Sequence, residues 1–318
     1  MAVKALIFGT DGIFHDLKKF YRQEIKRGNL QIIGYAVFNE NGLKVYQNEW
    51  GGDGGGLAFD ANNFDIAIIS TQDNFYNRMK YLENLGVPRK NIIDGRVFQI
   101  PNLDFSRLLT EGVAYGELET KKLSISNEQN SIYPKIYKIK NVDTIIKLGT
   151  KTYGVDVTFD SKRGIFSAGN FSAISWDVTF EMGLNGCHNY TGASVYPLTH
   201  FDWTFKVDDF SVSLERCKIE VGNDVWIGRG CRFKSSNPKK PLIIGDGAII
   251  ASDSVVVKNV PPYAIVGGNP ARIIKYRFSE DIIEALLRIK WWNWDIDKIY
   301  ENFKYFNRIE EFVALHDK

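Results

Sequence analysis

Residues 219–260, IEVGNDVWIGRGCRFKSSNPKKPLIIGDGAIIASDSVVVKNV, return an aliphatic residue followed by a small one at a spacing of six. Val221-Gly222, Ile227-Gly228, Ile244-Gly245 and Ile250-Ala251 carry the beat, and four positions after each stands a second inward candidate: Val225, Cys231, Ala248 and Ser254. Phe233 keeps the same phase. The step from Phe233 to Ile244 is eleven, or six plus five, which predicts a short loop near Ser235–Lys240 pushed out between two regular rungs. A strand exposed on one side alternates at a period of two and a helix at about 3.6. A period of six instead marks a parallel β-helix, whose repeats bury their aliphatic residues only by stacking on one another.

The beat begins faintly after Asp143, at Leu148-Gly149 with Thr152, then Ala168-Gly169 with Ser172, Ile174-Ser175 with Val178, and Phe180. It stops at Met182 and resumes at Val221, so residues 182–218 form an excursion from the coils. A loop of that length inside a compact domain is usually functional. PPYAIVGGNPARIIKYRF closes the repeat, which gives a β-helix over 143–275, and the tail 276–318 has helical spacing with Ser279 as its candidate N-cap.

Upstream, AVKALIFG, LQIIGYAVFNENG and FDIAIIST read as strands, and HDLKKFYRQEIKRG and QDNFYNRMKYLENLG as helices. Their alternation predicts an α/β domain with a parallel sheet over 1–118. The first strand-to-helix turn, Gly9-Thr10-Asp11-Gly12, stands where such folds place phosphates, yet it lacks G-x-G-x-x-G and equally suits a tight turn that needs glycine. Residues 119–142 show no sustained period and read as a linker.

A hydrophobic fraction of 44% and a charged fraction of 25% are those of an ordinary globular chain, and 318 residues suffice for about two domains. The net charge is +2 with no basic block, which argues against nucleic-acid binding. Cys187, Cys217 and Cys231 lack metal-ligand spacing, so no metal is expected. No run is long enough to span a membrane, and MAVKALIFGTDGIF does not read as a signal peptide, so a cytoplasmic location is expected.

FSAGNFSAISWDVTFEMGLNGCHNYTGASVYPL, VGNDVWIGRGC, IIGDGAIIASDSVVVKNVPPYAIVGGNPARIIKYRF and WWNW together resemble the hexapeptide-repeat acyltransferases, in the branch of xenobiotic and sugar O-acetyltransferases. The likeness covers roughly 145–305. It implies a left-handed parallel β-helix, a homotrimer and acetyl-CoA as donor. The preceding α/β domain makes the arrangement similar to bacterial sugar acetyltransferases with a Rossmann-like domain ahead of the β-helix, which act on nucleotide-linked sugars.

The family's general base, a histidine at the start of the excursion, matches His188 in Gly186-Cys187-His188-Asn189. Imidazole titrates near working pH, as removal of an acceptor proton requires. Asn189 replaces the arginine often found in drug-modifying members, which points away from an antibiotic acceptor. Ser194, Tyr196 and Pro197 match the S-x-Y-P segment that shapes the acceptor pocket, although a rigid turn explains them equally, and His200 is a further acceptor candidate or a plain loop residue. For the coenzyme the resemblance points to Trp226, to the backbone of Ala251 and Ser252, and to the closing turn Gly268, Asn269, Pro270 and Ala271. Lys258, Arg272, Lys275 and Arg277 are candidates for the coenzyme's phosphates, or are solvated surface charges.

The expected activity is acetyl transfer to a sugar hydroxyl in surface polysaccharide synthesis. Two alternatives stand beside it: N-acetylation of a nucleotide-linked amino sugar, and a passive trimeric scaffold.

Overall fold

The computed structural model describes residues 2–8, 26, 30–39, 42–46, 59–70, 75–100, 103–125, 133–183, 193 and 215–317. Contacts divide the chain into one unit of Met1–Leu118, Ile125–Tyr137 and Gly149–Tyr153 and a second of Glu119–Ser124, Lys138–Leu148 and Gly154–Lys318.

In the first unit, β1 (Val3–Phe8), β2 (Leu30–Asn39), β3 (Gly42–Tyr46), β4 (Ile66–Ile69) and β5 (Ile92–Asp94) form a sheet in the order β3-β2-β1-β4-β5. All neighbours pair in parallel except β3, which runs antiparallel at the edge. Ala5–Phe8 and every residue of β4 are buried, as for parallel strands covered on both faces. Helix α1 (Phe75–Asn84) buries Phe75, Met79 and Leu82, and α2 (Phe105–Glu111) buries Phe105 and Leu108. The turn at Gly9–Gly12 and nearly all of the first expected helix lie outside the described residues.

This unit also buries a cluster of charge. Asp94, at the end of β5, accepts from Arg96 Nε at 2.8 Å and Nη2 at 2.7 Å. Lys135 is fully buried nearby, and burial pulls its ammonium down to about 7, opposed by Asp94 and assisted by Lys151 and Arg96. Burial likewise brings Lys151 down to about 8.

The stretch expected as a linker contains β7 (Lys122–Ile125) and β8 (Lys135–Ile139), after β6 (Ala114–Leu118). β8 alternates buried and open residues, but five residues are too few to reveal a period beside its irregular neighbours.

The second unit is a parallel β-helix of three sheet faces. The first face stacks β9 (Asp143–Leu148), β11 (Arg163–Ala168), β14 (Cys217–Val221) and β17 (Leu242–Ile244). The second stacks β12 (Ala173–Ile174), β15 (Trp226–Ile227), β18 (Ile249–Ile250) and β20 (Ala264–Gly267), with β21 (Arg272–Tyr276) antiparallel at its end. The third stacks β13 (Thr179–Met182), β16 (Arg232–Ser235) and β19 (Val255–Val256) on β10 (Tyr153–Asp160). The inward positions of the six-residue beat are buried from Ala168 through Val256. β16 runs through Ser235, so the extruded loop occupies 236–241.

Inside, phenylalanines stack from coil to coil, Phe159 to Phe180 at 5.6 Å and Phe180 to Phe233 at 4.8 Å between ring centroids, and Phe166 packs against Phe180 from across the same coil at 4.3 Å. The tail forms α3 (Glu280–Ile289), α4 (Ile296–Asn302) and α5 (Ile309–His316). Ser279 is the N-cap of α3 by position, without a side-chain capping bond. Tyr263, Leu286, Trp292 and Phe312 form the core between tail and coils, which is where the Trp291–Trp294 cluster acts as an anchor. Arg277 ties the tail down further, donating to Asp224 at 3.1 Å and to the Gly247 carbonyl at 2.7 Å. Among the described residues no helix is long and apolar enough to cross a membrane.

Two outcomes are expected. Phe180→Ala opens a void between stacked rings and should cost about 3–5 kcal/mol in denaturant unfolding. The folded chain sheds the Lys135 proton near pH 7 while the unfolded chain keeps it to near 10.5, so unfolding free energy should rise with pH across that window. Lys135→Met should flatten the rise and be more stable than the parent near pH 6, read as thermal midpoints at several pH values.

Candidate functional site

The three corners of the β-helix differ in what they expose. The corner after the second face is built from Ser175, Gly228, Ala251 and Gly267 on successive coils, joined by backbone bonds. Ser175 N–H donates to the Ile227 carbonyl at 2.9 Å, Gly228 N–H to Ile250 at 2.8 Å and Ala251 N–H to Val266 at 2.9 Å. A side chain at Gly228 would meet Ser252 N at 2.7 Å and the Ile250 oxygen at 2.9 Å. Small residues are therefore a condition of stacking here, and at Gly267 the Ile274 side chain lies 2.9 Å from where a Cβ would be.

Behind this column, two buried polar side chains brace the backbone. The Cys231 thiol donates to the Ala251 carbonyl at 3.1 Å, and Ser254 Oγ accepts from Gly268 N–H at 3.3 Å. Burial pushes the Cys231 thiol above its ordinary range, so it is a packing residue and not a nucleophile. The closing turn is bound to the same corner: Val255 N–H donates to the Gly268 carbonyl at 3.0 Å, and Ala271 N–H to the Val255 carbonyl at 2.8 Å. Gly268 has φ +95°, a conformation that suits glycine.

Every coenzyme candidate is among the described residues, and all but Lys258 and Arg277 lie on this corner or on the face that leads into it. Trp226 is 58% exposed and pairs with Ile249, which pairs with Ile265, which pairs with Lys275. Arg272 pairs with Gly267. Ser252, Gly268, Asn269, Pro270, Arg272 and Lys275 are exposed, and Ala251 and Ala271 are half-buried. Arg277 does not join them, because it is engaged with Asp224. Lys258 lies on a different corner, in the turn after β19. His188, Asn189, Ser194, Tyr196, Pro197 and His200 lie outside the described residues. The coils at either end of that segment are described: Gly183 N–H donates to the Ser235 carbonyl at 2.8 Å, and β14 begins at Cys217.

The corner holds two residues that the sequence reading missed. Trp176, 56% exposed, and Arg229 precede its left-handed positions, and the Trp176 carbonyl accepts from Gly230 N–H at 3.0 Å. The phase contained the signal: each stands two residues after an inward isoleucine, as Ser252 does. Beside them lies an open depression of about 590 Å³ lined by Asp177, Arg229, Gly230, Arg232, Asp253 and Val255. Among the described residues no cluster of histidine, cysteine, aspartate or glutamate is able to hold a metal ion.

No family model matches the chain. A probable macrolide acetyltransferase of Lysinibacillus sphaericus is 41% identical over 141 residues, which are 43% of this chain and 73% of that protein. A chloramphenicol acetyltransferase of Morganella morganii is 40% identical over 135 residues, 41% of this chain and 60% of that protein. Among solved structures, a hexapeptide-repeat acetyltransferase of Vibrio cholerae is 22% identical, with 42% of this chain and 64% of that chain covered and a TM-score of 0.30, a likeness too low to add to the sequence relatives. The six-residue coils and these relatives lead to one assignment: the chain belongs to the hexapeptide-repeat acetyltransferases.

Proposed function

We propose that the protein transfers the acetyl group of acetyl-CoA to a sugar hydroxyl during surface-polysaccharide synthesis. One observation carries the reading: Trp226, Ala251, Ser252, Gly268–Arg272 and Lys275 come together on one face and corner, in a chain that is 41% identical to an acetyltransferase over 141 residues. The pantetheine arm follows the small-residue column past Ala251 and Ser252, and Arg272 and Lys275 meet the phosphates. The family supplies the left-handed coil and the homotrimer. The α/β unit is read as a Rossmann-like domain, and with Asn189 in place of arginine it turns the acceptor toward a sugar and away from a drug. The protein works in the cytoplasm.

His188 is the general base. Its imidazole takes the acceptor's hydroxyl proton as the oxygen attacks the thioester carbonyl. The tetrahedral intermediate collapses with cleavage of the C–S bond, and the imidazolium returns the proton to the departing thiolate. A well-placed base of this kind is worth about 10² to 10⁴ in rate. Asn189, Ser194, Tyr196 and His200 contact the acceptor.

The test is thiol release from acetyl-CoA with three acceptor sets: oligosaccharide hydroxyls, nucleotide-linked amino sugars, and chloramphenicol. Turnover with the hydroxyl set is expected. Turnover confined to the amines, or to the drug, would replace the sugar-hydroxyl reading. Calorimetry that detects no acetyl-CoA binding at millimolar ligand would leave a passive scaffold. His188→Ala should lower kcat by at least about a hundredfold while acetyl-CoA binding stays intact, and retained turnover would remove it as the base.

A further inference from the structure

The turns that hand the chain from the third face back to the first carry an uneven charge. Lys162, Lys218, Lys239, Lys240 and Lys258 occupy successive turns of this corner or the first positions after them, and all are exposed. Among the described residues none of these lysines has an ion pair. The acids of the corner are already held. Asp143 is bound by Arg216 and by Arg163, the latter at 3.5 Å; Asp160 by Lys121 at 3.1 Å; and Glu181 by Lys234 at 3.1 Å and Arg232 at 3.6 Å. Glu215 is exposed and has a partner of its own, and Glu220 is an exposed acid two residues beyond Lys218 on β14.

The geometry makes the lysines act together. Successive coils of a parallel stack are about 4.8 Å apart, less than the Debye length of about 8 Å at physiological salt, so the charges reinforce one another along the axis. The doubled charge of Lys239 and Lys240 is presented by an ordered turn: Asn237 Oδ1 accepts from Lys239 N–H at 2.9 Å, and the Asn237 carbonyl from Lys240 N–H at 3.1 Å. The loop that breaks the six-residue beat therefore has a charge to present. It belongs to the corner at which the chain departs after Gly183 toward His188 and rejoins the coils at Arg216.

We propose that this corner is an electrostatic track for an acidic glycan, a sugar polymer with repeated carboxylates, that leads the acceptor toward the excursion. The proposal rests on the glycan-acceptor reading above and adds the charge of the substrate. A nucleic acid fits less well. The track is one turn wide on a chain whose net charge is only +2, and among the described residues of these turns there is no aromatic side chain to stack bases.

The experiment is fluorescence anisotropy of labelled oligogalacturonate with the full chain, against a maltooligosaccharide of matched length and a single-stranded DNA of matched charge. The acidic sugar should bind more tightly than either, with affinity that falls steeply as salt is raised. Lys239→Glu/Lys240→Glu should weaken it at least about tenfold, while acetyl-CoA binding and acetyl transfer to a small uncharged sugar remain at parental levels. Unchanged binding by the variant, no binding of oligogalacturonate, or tighter binding of the DNA would overturn the track. Loss of acetyl transfer in the parent with oligogalacturonate binding retained would sink the enzymatic reading and leave the track standing.

Discussion

Stacking of backbone on backbone at the corners is the constraint on which the second unit depends. Each coil buries one inward residue per face, but it joins the next coil only if N–H and carbonyl groups meet without side chains between them. Gly228 and Ala251 meet that condition with bonds of 2.8 and 2.9 Å to the coil below. At the neighbouring corner the same condition is met differently. Gly247, at φ +67°, has the Tyr263 ring 2.4 Å from where its Cβ would be, while Asn223 and Asp246 replace missing backbone bonds with their side chains. Residues that look like simple spacers thus decide what each corner is able to expose.

The three corners then divide the work. The first receives the tail: Arg277 bonds Asp224, whose carboxyl burial pushes above its ordinary range against the pull of that guanidinium, and Asn170 donates to the Trp292 carbonyl at 3.1 Å. The second presents a column of small residues flanked by the Arg229–Asp177 ion pair and by the exposed indoles of Trp176 and Trp226. The third breaks the beat and carries unpaired lysines. An anchoring tail is held by the first of these corners, and the proposed coenzyme arm and acidic acceptor would make different chemical demands on the other two.

Much of this was legible in the sequence because the six-residue period leaves few options. Val221, Ile227, Phe233, Ile244 and Ile250 are all buried, and the eleven-residue step marked the true position of the extruded loop. Period alone could not separate the corners. Trp176 and Arg229 directly follow the pairs Ile174-Ser175 and Ile227-Gly228, but the beat marks the inward residues and not the outward ones beside them, and Arg277 is a phosphate candidate by sequence whereas the structure binds it to Asp224. β7 and β8 are hidden in the sequence because strands of four and five residues are too short to reveal a period beside irregular neighbours, and Lys135 gives no sign that it is buried. The excursion is marked by the gap in the beat between Met182 and Val221, whereas the role of His188 within it rests on the resemblance alone.

The central claim is that the coenzyme occupies the corner of Ser175, Gly228, Ala251 and Gly267. A crystal structure of the protein with CoA tests it most directly. The pantetheine arm should lie along that column, with Trp226 at its side and the phosphates near Arg272 and Lys275. A coenzyme found along Gly169, Gly222 and Gly245, on the lysine corner, or on the first unit would contradict the account.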